Sequence, residues 1–199
     1  MLLEIFKLVV MVFSLVLHEV SHGFAALSLG DDTAKSQGRL SLNPLKHLDL
    51  LGSVIIPLSL YLMGSQVLIG WAKPVPVNPY KLKDQKLGVL KVSLAGPLAN
   101  FSLALVFALI LRLLPLPGDL SLLLQITVLY NLMFGFFNLV PLPPLDGSGI
   151  LFSLLPERFS NLKSSLYQYG PWLLLIFVFF GFRILDIFVF WAYRLLLGV

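Results

Sequence analysis

Cysteine is absent from the 199 residues, which excludes a disulfide framework, an iron–sulfur cluster and a thiolate zinc site. Charge is scarce as well. Asp, Glu, Lys and Arg make up 12% of the chain, against 58% hydrophobic residues and a mean hydropathy of +0.92. Soluble domains are not this apolar. The composition therefore describes an integral membrane protein with one domain, residues 1–199, and no room for a large soluble one. The formal charge of +4 belongs to basic membrane-flanking loops and gives no reason to expect a nucleic-acid partner. Only three histidines are present, so a metal site can draw on these and on carboxylates alone.

What is present centres on His18-Glu19-Val20-Ser21-His22, at the far end of an apolar run that begins near Met1. The run has helical length, no proline, and no turn residue before Gly23. On a helix, residues i and i+4 share a face, so His18 and His22 present two imidazoles to one point at a separation that suits a single zinc ion. Glu19 stands where a carboxylate can reach a water on that ion. The three residues could instead be interfacial polar groups at a helix end. Ionisable side chains in an apolar span are expensive, however, and usually functional. The run resembles a signal peptide only superficially, being too long and carrying Glu4 beside Lys7 at its start.

Along the chain the pattern predicts an all-α polytopic membrane protein with short β-hairpin and edge-strand elements. A first helix covers 3–29, ended by Gly30-Asp31-Asp32. Residues 33–43 are polar, alternate loosely and contain a Gly38-Arg39 turn, so they read as a short hairpin. Residues 50–69 are apolar but carry Gly52, Pro57 and Gly64, as a span or a re-entrant segment would. In WAKPVPVNPY (71–80), Pro74 and Pro76 remove the donors of one edge, leaving an edge strand whose other edge keeps the N–H groups of Val75 and Val77. Spans follow at 92–114, 121–140 and 170–197, the last bracketed by Trp172 and Trp191 as aromatic belts. If 50–69 is re-entrant, Lys35, Arg39, Lys46, Lys73, Lys81, Lys83, Lys86, Lys91, Arg158 and Lys163 share one face. Arg112 and Arg194 flank the other. This lopsided partition favours four full transmembrane helices plus a re-entrant piece, with the amino terminus outside and the HExxH end near the cytoplasmic face.

Two residues could complete a metal site. His47 lies after a loop; Asp146 lies in PLPPLDGSG (141–149), where prolines break a helix and Gly147 lets the chain turn. Irregular backbone at membrane depth is tolerated where it is buried in protein or lines a cavity, which suits a ligand at Asp146. The competing reading is that Asp146 caps the helix at 147–155. Asn138 near the end of the preceding span could stabilise an oxyanion, or simply bond to a neighbouring helix. Asn100, with Gly96 and Pro97, reads as a helix-packing residue.

HEVSH, GRLSLNPLKHLDLLG, WAKPVPVNP, SLAGPLANF and NLVPLPPLDG, in that order, resemble the motifs of the site-2 protease family of intramembrane zinc metalloproteases. The resemblance covers most of the chain. It implies one Zn2+ per chain held by His18, His22 and Asp146, Glu19 as general base, and Asn138 assisting at the substrate carbonyl. It also implies cleavage of transmembrane-helix substrates near the cytoplasmic side of the bilayer, in the cell membrane. The form expected is a minimal one, without PDZ-like or CBS-like inserts or the apolar helix that precedes the zinc motif in many members. On this reading the 71–80 segment pairs its usable edge with an unwound substrate. The rival classes are an inactive binding or chaperone relative and a zinc transporter, the latter needing ligands on further spans.

Overall fold

The computed structural model describes residues 2–63 and 70–198, and among them no strand occurs. Helix α1 runs Leu2–Ser28. Gly30 at φ 106° closes it, in the left-handed conformation that commonly ends helices.

The hairpin expected at 33–43 is replaced by a single helical turn, α2 (Thr33–Ser36). The cause is Asp31, whose buried carboxylate takes both the N–H and the hydroxyl of Thr33 and starts a turn where alternation had pointed to a strand. A 3₁₀ turn, Pro44–His47, follows. A π-helical turn, Leu50–Ile55, then leads into α3, Ile56–Leu62. Leu50 to Leu62 spans roughly 20 Å at 1.5 Å per residue, short of the hydrocarbon thickness. Gly52 O accepts from Trp71 N–H at 3.1 Å, and Ser53 Oγ donates to Trp71 O at 2.7 Å. The chain thus returns by residue 71 to where it was at residue 52. The remainder of the apolar stretch expected at 50–69, residues 64–69, lies outside the described residues.

Residues 71–78 belong to no helix and form no ladder with a strand. Four of their donors are taken within the chain: Trp71 by Gly52 O, Lys73 by His47 O at 2.9 Å, Val75 by Glu19 Oε2 at 2.8 Å, and Asn78 by Asp31 Oδ2 at 2.6 Å. The edge strand expected here is therefore a strap sewn to the protein. Val75, one of the two donors expected to meet a substrate, is occupied within the chain.

Helix α4 (Gln85–Leu113), capped by Asp84, is the spine; it packs on α1, on α5 (Gly118–Asn138) and on α6 (Asp146–Leu154). A rod closes the chain. It runs from a 3₁₀ turn at Glu157 through α7 (Ser160–Ile176), a π-helical turn (Phe177–Gly181) and α8 (Phe182–Leu197). Among the described residues three helices are long and apolar enough to cross a membrane: α4, α5 and this rod, 41 residues long. Where α4, α5 and α8 meet, Ala104, Ala108 and Ala192 let the backbones approach around Val128, Leu132 and Leu185. Leu98, Leu105, Leu109, Phe179 and Phe188 face outward, the inverse of a soluble bundle and the arrangement lipid requires.

Candidate metal centre

The last turns of α1 bring His18 and His22 onto one face, both buried. Asp146 arrives at the first turn of α6, after the break at Pro141–Leu145. The N-cap position is Leu145, which has no polar side chain to cap with, and Asp146 Oδ2 makes no hydrogen bond to the helix it begins. Asp146 Oδ2 lies 3.0 Å from His18 Nε2 and 3.2 Å from His22 Nε2, and the two Nε2 atoms are 3.1 Å apart. Two glycines make this meeting possible. A Cβ on Gly147 would run into the backbone carbonyls of Leu139 and Val140, at the end of α5. A Cβ on Gly96 would stand 2.5 Å from His22 Nε2 and 2.6 Å from His18 Nε2.

Both histidines are held from behind. His22 Nδ1 is 2.7 Å from Val92 O, a carbonyl of α4 that can only accept. His18 Nδ1 is 2.7 Å from Asn100 Oδ1. The sense of that bond is fixed by the rest of the network: Asn100 Nδ2 donates to Asn131 Oδ1 at 3.0 Å, and Asn131 Nδ2 donates to Thr127 O at 2.9 Å. Both Nδ1 atoms are therefore donors, and in neutral imidazoles both Nε2 atoms carry lone pairs. Those lone pairs face each other and Asp146 Oδ2, a buried atom with no hydrogen-bond partner. Three acceptors within ~3 Å and no proton among them repel unless a cation sits between. A tetrahedral zinc with bonds of about 2.0–2.1 Å has an edge of roughly 3.3 Å, close to the observed separations. Two neutral imidazoles and a carboxylate form a donor set that fits the ion. Among the described residues this is the one group of three such side chains able to hold a metal.

Glu19 is half-buried beside the trio, with Oε2 on Val75 N–H. Asn138 is not joined to the trio by any hydrogen bond among the described residues; its Nδ2 donates to Phe134 O at 3.1 Å, within its own helix. His47, the rival third ligand, is buried elsewhere, with Nε2 on Ser41 O at 2.8 Å. Asn100, read from sequence as a packing residue, is the partner of His18. Its i, i+4 spacing from Gly96 was the available signal, since it puts the gap and the amide on one face of α4. Beside Asp146, a cavity of about 360 Å³ opens between Ser93, Pro143, Pro144, Ser148 and Tyr167.

A family model described as peptidase family M50 matches residues 116–181. YwhC of Bacillus subtilis, named as a zinc metalloprotease, is 36% identical over 174 residues, covering 83% of this chain and 76% of that protein. Rip2 of Mycolicibacterium smegmatis, similarly named, is 30% identical over 165 residues, 79% of this chain and 60% of its own. The zinc metalloprotease MJ0392 of Methanocaldococcus jannaschii is 32% identical over 117 residues; the chain spans 34% of its length. No solved structure matches the chain at a significant level. With two imidazoles and a carboxylate gathered from α1 and α6, and a relative matched over three quarters of its length, the chain belongs to peptidase family M50, the site-2 protease family of zinc metalloproteases.

Proposed function

We propose that this zinc-dependent protease hydrolyses peptide bonds within or next to transmembrane helices of other membrane proteins. His18, His22 and Asp146 hold the ion. The observation that carries the reading is the convergence of their three lone-pair atoms with no proton among them. Zinc, when bound, supplies Lewis-acid polarisation and an activated water. Glu19 keeps Oε2 on Val75 N–H, leaving Oε1 to accept a proton from the nucleophile and deliver it to the leaving amine. Asn138 spends one amide hydrogen on Phe134 O, and its second is free to meet the developing oxyanion of the substrate. A helical substrate hides its carbonyls in i to i−4 bonds and has to unwind before this chemistry reaches it.

Four full spans, α1 included, with the apolar piece at 50–63 re-entrant and not spanning, fit the meeting of Gly52 and Ser53 with Trp71. With the basic loops on the cytoplasmic side of the cell membrane, the site faces that side and the amino terminus lies outside. Residues 1–199 act as one catalytic domain. No second metal-ligand group among the described residues favours an ion pathway, and the presence of Glu19 speaks against an inactive relative.

The test is Glu19→Gln in purified protein with a membrane-helix substrate. Zinc stays at one per chain while cleavage falls on the order of 10²–10⁴-fold, the range of a general base. Cleavage that survives the substitution overturns the assignment.

A further inference from the structure

Arg39 is buried, 9% exposed, and the described residues contain no carboxylate paired with it. A buried guanidinium without a counter-ion is costly, so what it touches is informative. Its Nη2 donates to Lys73 O at 2.9 Å and to Pro74 O at 3.3 Å. Pro74 C=O and Val75 N–H are two ends of a single planar peptide unit and point in opposite directions. The far end of that unit is the N–H that holds Glu19 Oε2 at 2.8 Å. One rigid plate therefore lies between a cation and the carboxylate of the proposed base.

Its surroundings keep the plate from turning. Pro76 confines the residue before it, Val75, to the β region, which limits the φ of Val75 about which the plate would turn. His47, 2% exposed, takes the Lys73 N–H on its own carbonyl, at 2.9 Å. A cation on the carbonyl also polarises the amide and strengthens the N–H as a donor. Arg39 never approaches the zinc ligands by any hydrogen bond of the structure; its influence ends on the strap.

We infer that Arg39 is a positioning residue for Glu19, acting through the Pro74–Val75 peptide unit to hold the carboxylate at one place and one orientation. The inference rests on the proposed role of Glu19, and the test separates the two. Purified full-length protein is assayed on one membrane-helix substrate for kcat, KM and zinc per chain. The variants are Arg39→Ala, Arg39→Gln, Val75→Pro, the Arg39→Ala/Val75→Pro double and Glu19→Gln. Arg39→Ala is expected to lower kcat about 10- to 100-fold, as misplacement of a reacting group does, with KM and zinc within about threefold of wild type. Val75→Pro deletes the N–H and should cost a similar factor. The double should be no slower than the slower single, because both changes cut the same connection. Arg39→Gln keeps a polar side chain but is uncharged and two bonds too short to stand in for Nη2 on the Pro74 carbonyl; it should fold, hold zinc and remain slow. Wild-type kcat in Arg39→Gln, or multiplying losses in the double, overturns the inference. So does a fall in kcat that merely tracks lost zinc across all Arg39 variants, since that is a structural role. Cleavage by Glu19→Gln instead removes the base itself and is recognised as the other failure.

Discussion

Gly96→Ala adds one methyl group to the centre of α4 and should disable the metal site. The new carbon would lie 2.5 Å from His22 Nε2 and 2.6 Å from His18 Cε1 and Nε2, where ordinary contact begins near 3.4 Å. The rings must give way by about 0.9 Å (3.4 − 2.5), more than the ~0.5 Å within which a functional constellation has to be held. Neither imidazole can swing aside freely, because each is tied at Nδ1 by a 2.7 Å hydrogen bond, to Asn100 or to Val92 O. Relief comes from breaking such a bond, at about 1–3 kcal/mol, or from moving α4, at about 1–3 kcal/mol for overpacking. At 1.4 kcal/mol per factor of ten, zinc affinity should fall on the order of 10- to 100-fold. The assay is chelator competition on detergent-purified protein, with zinc per chain and substrate cleavage read together. Gly118→Ala is the control, since nothing lies within 4 Å of the Cβ it would add, and it should match wild type. A Gly96→Ala protein with wild-type zinc affinity and wild-type cleavage would refute the packing of the two rings against α4.

Asn100→Ala leaves Gly96 alone but removes the acceptor behind His18, so zinc affinity should drop about 10- to 100-fold, the usual cost of losing a ligand's outer partner; unchanged competition curves would contradict it. The loop after α1 should be acid-sensitive. Burial by itself would push the Asp31 carboxyl up, but bonds from the Thr33 hydroxyl, the Asn78 N–H and the Thr33 N–H, with Lys81 nearby, hold it below the usual carboxylate range. A carboxyl whose folded pKa is depressed stabilises the fold above its unfolded value of about 3.9 and loses that contribution as pH falls further. The melting temperature should therefore fall more steeply below about pH 4 in wild type than in Asp31→Asn, and equal slopes would sink the assignment.

Much of this architecture was legible from spacing. The i, i+4 histidines and the proline-broken PLPPLDG are local patterns, and the structure brings together the three side chains they singled out. The long helices α4 and α5 follow directly from apolar runs. What escaped was set by partners far along the chain. Asn100 sits 82 residues from His18, and an amide on an apolar helix looks the same whether it packs or orients a ligand. The hairpin at 33–43 was misread because a carboxylate just outside the window, Asp31, captures Thr33 and starts a turn. The strap at 71–78 was read as an edge strand, with the N–H groups of Val75 and Val77 assigned to a future partner. In the fold Val75 N–H is taken by Glu19, while Trp71 and Lys73 bond Gly52 and His47, and none of those pairings has a signature in the strap itself.

The network behind the histidines explains why so apolar a protein carries Asn100 and Asn131 fully buried on its central helices. An amide can present either face, so a lone asparagine behind His18 would leave the imidazole's tautomer undecided. A backbone carbonyl has no such freedom. Thr127 O can only accept; it makes Asn131 Nδ2 a donor, leaves Asn131 Oδ1 to receive Asn100 Nδ2, and turns Asn100 Oδ1 toward His18. The donor sense at the metal site is thereby dictated by the main chain of α5, two amides away. His22 reaches the same result in one step through Val92 O on α4. In hydrocarbon, where an unmet polar group costs several kcal/mol, reversing either amide would leave donors facing donors and carbonyls bare. The apolar surroundings that make two buried imidazoles on α1 expensive are also what make their orientation unambiguous.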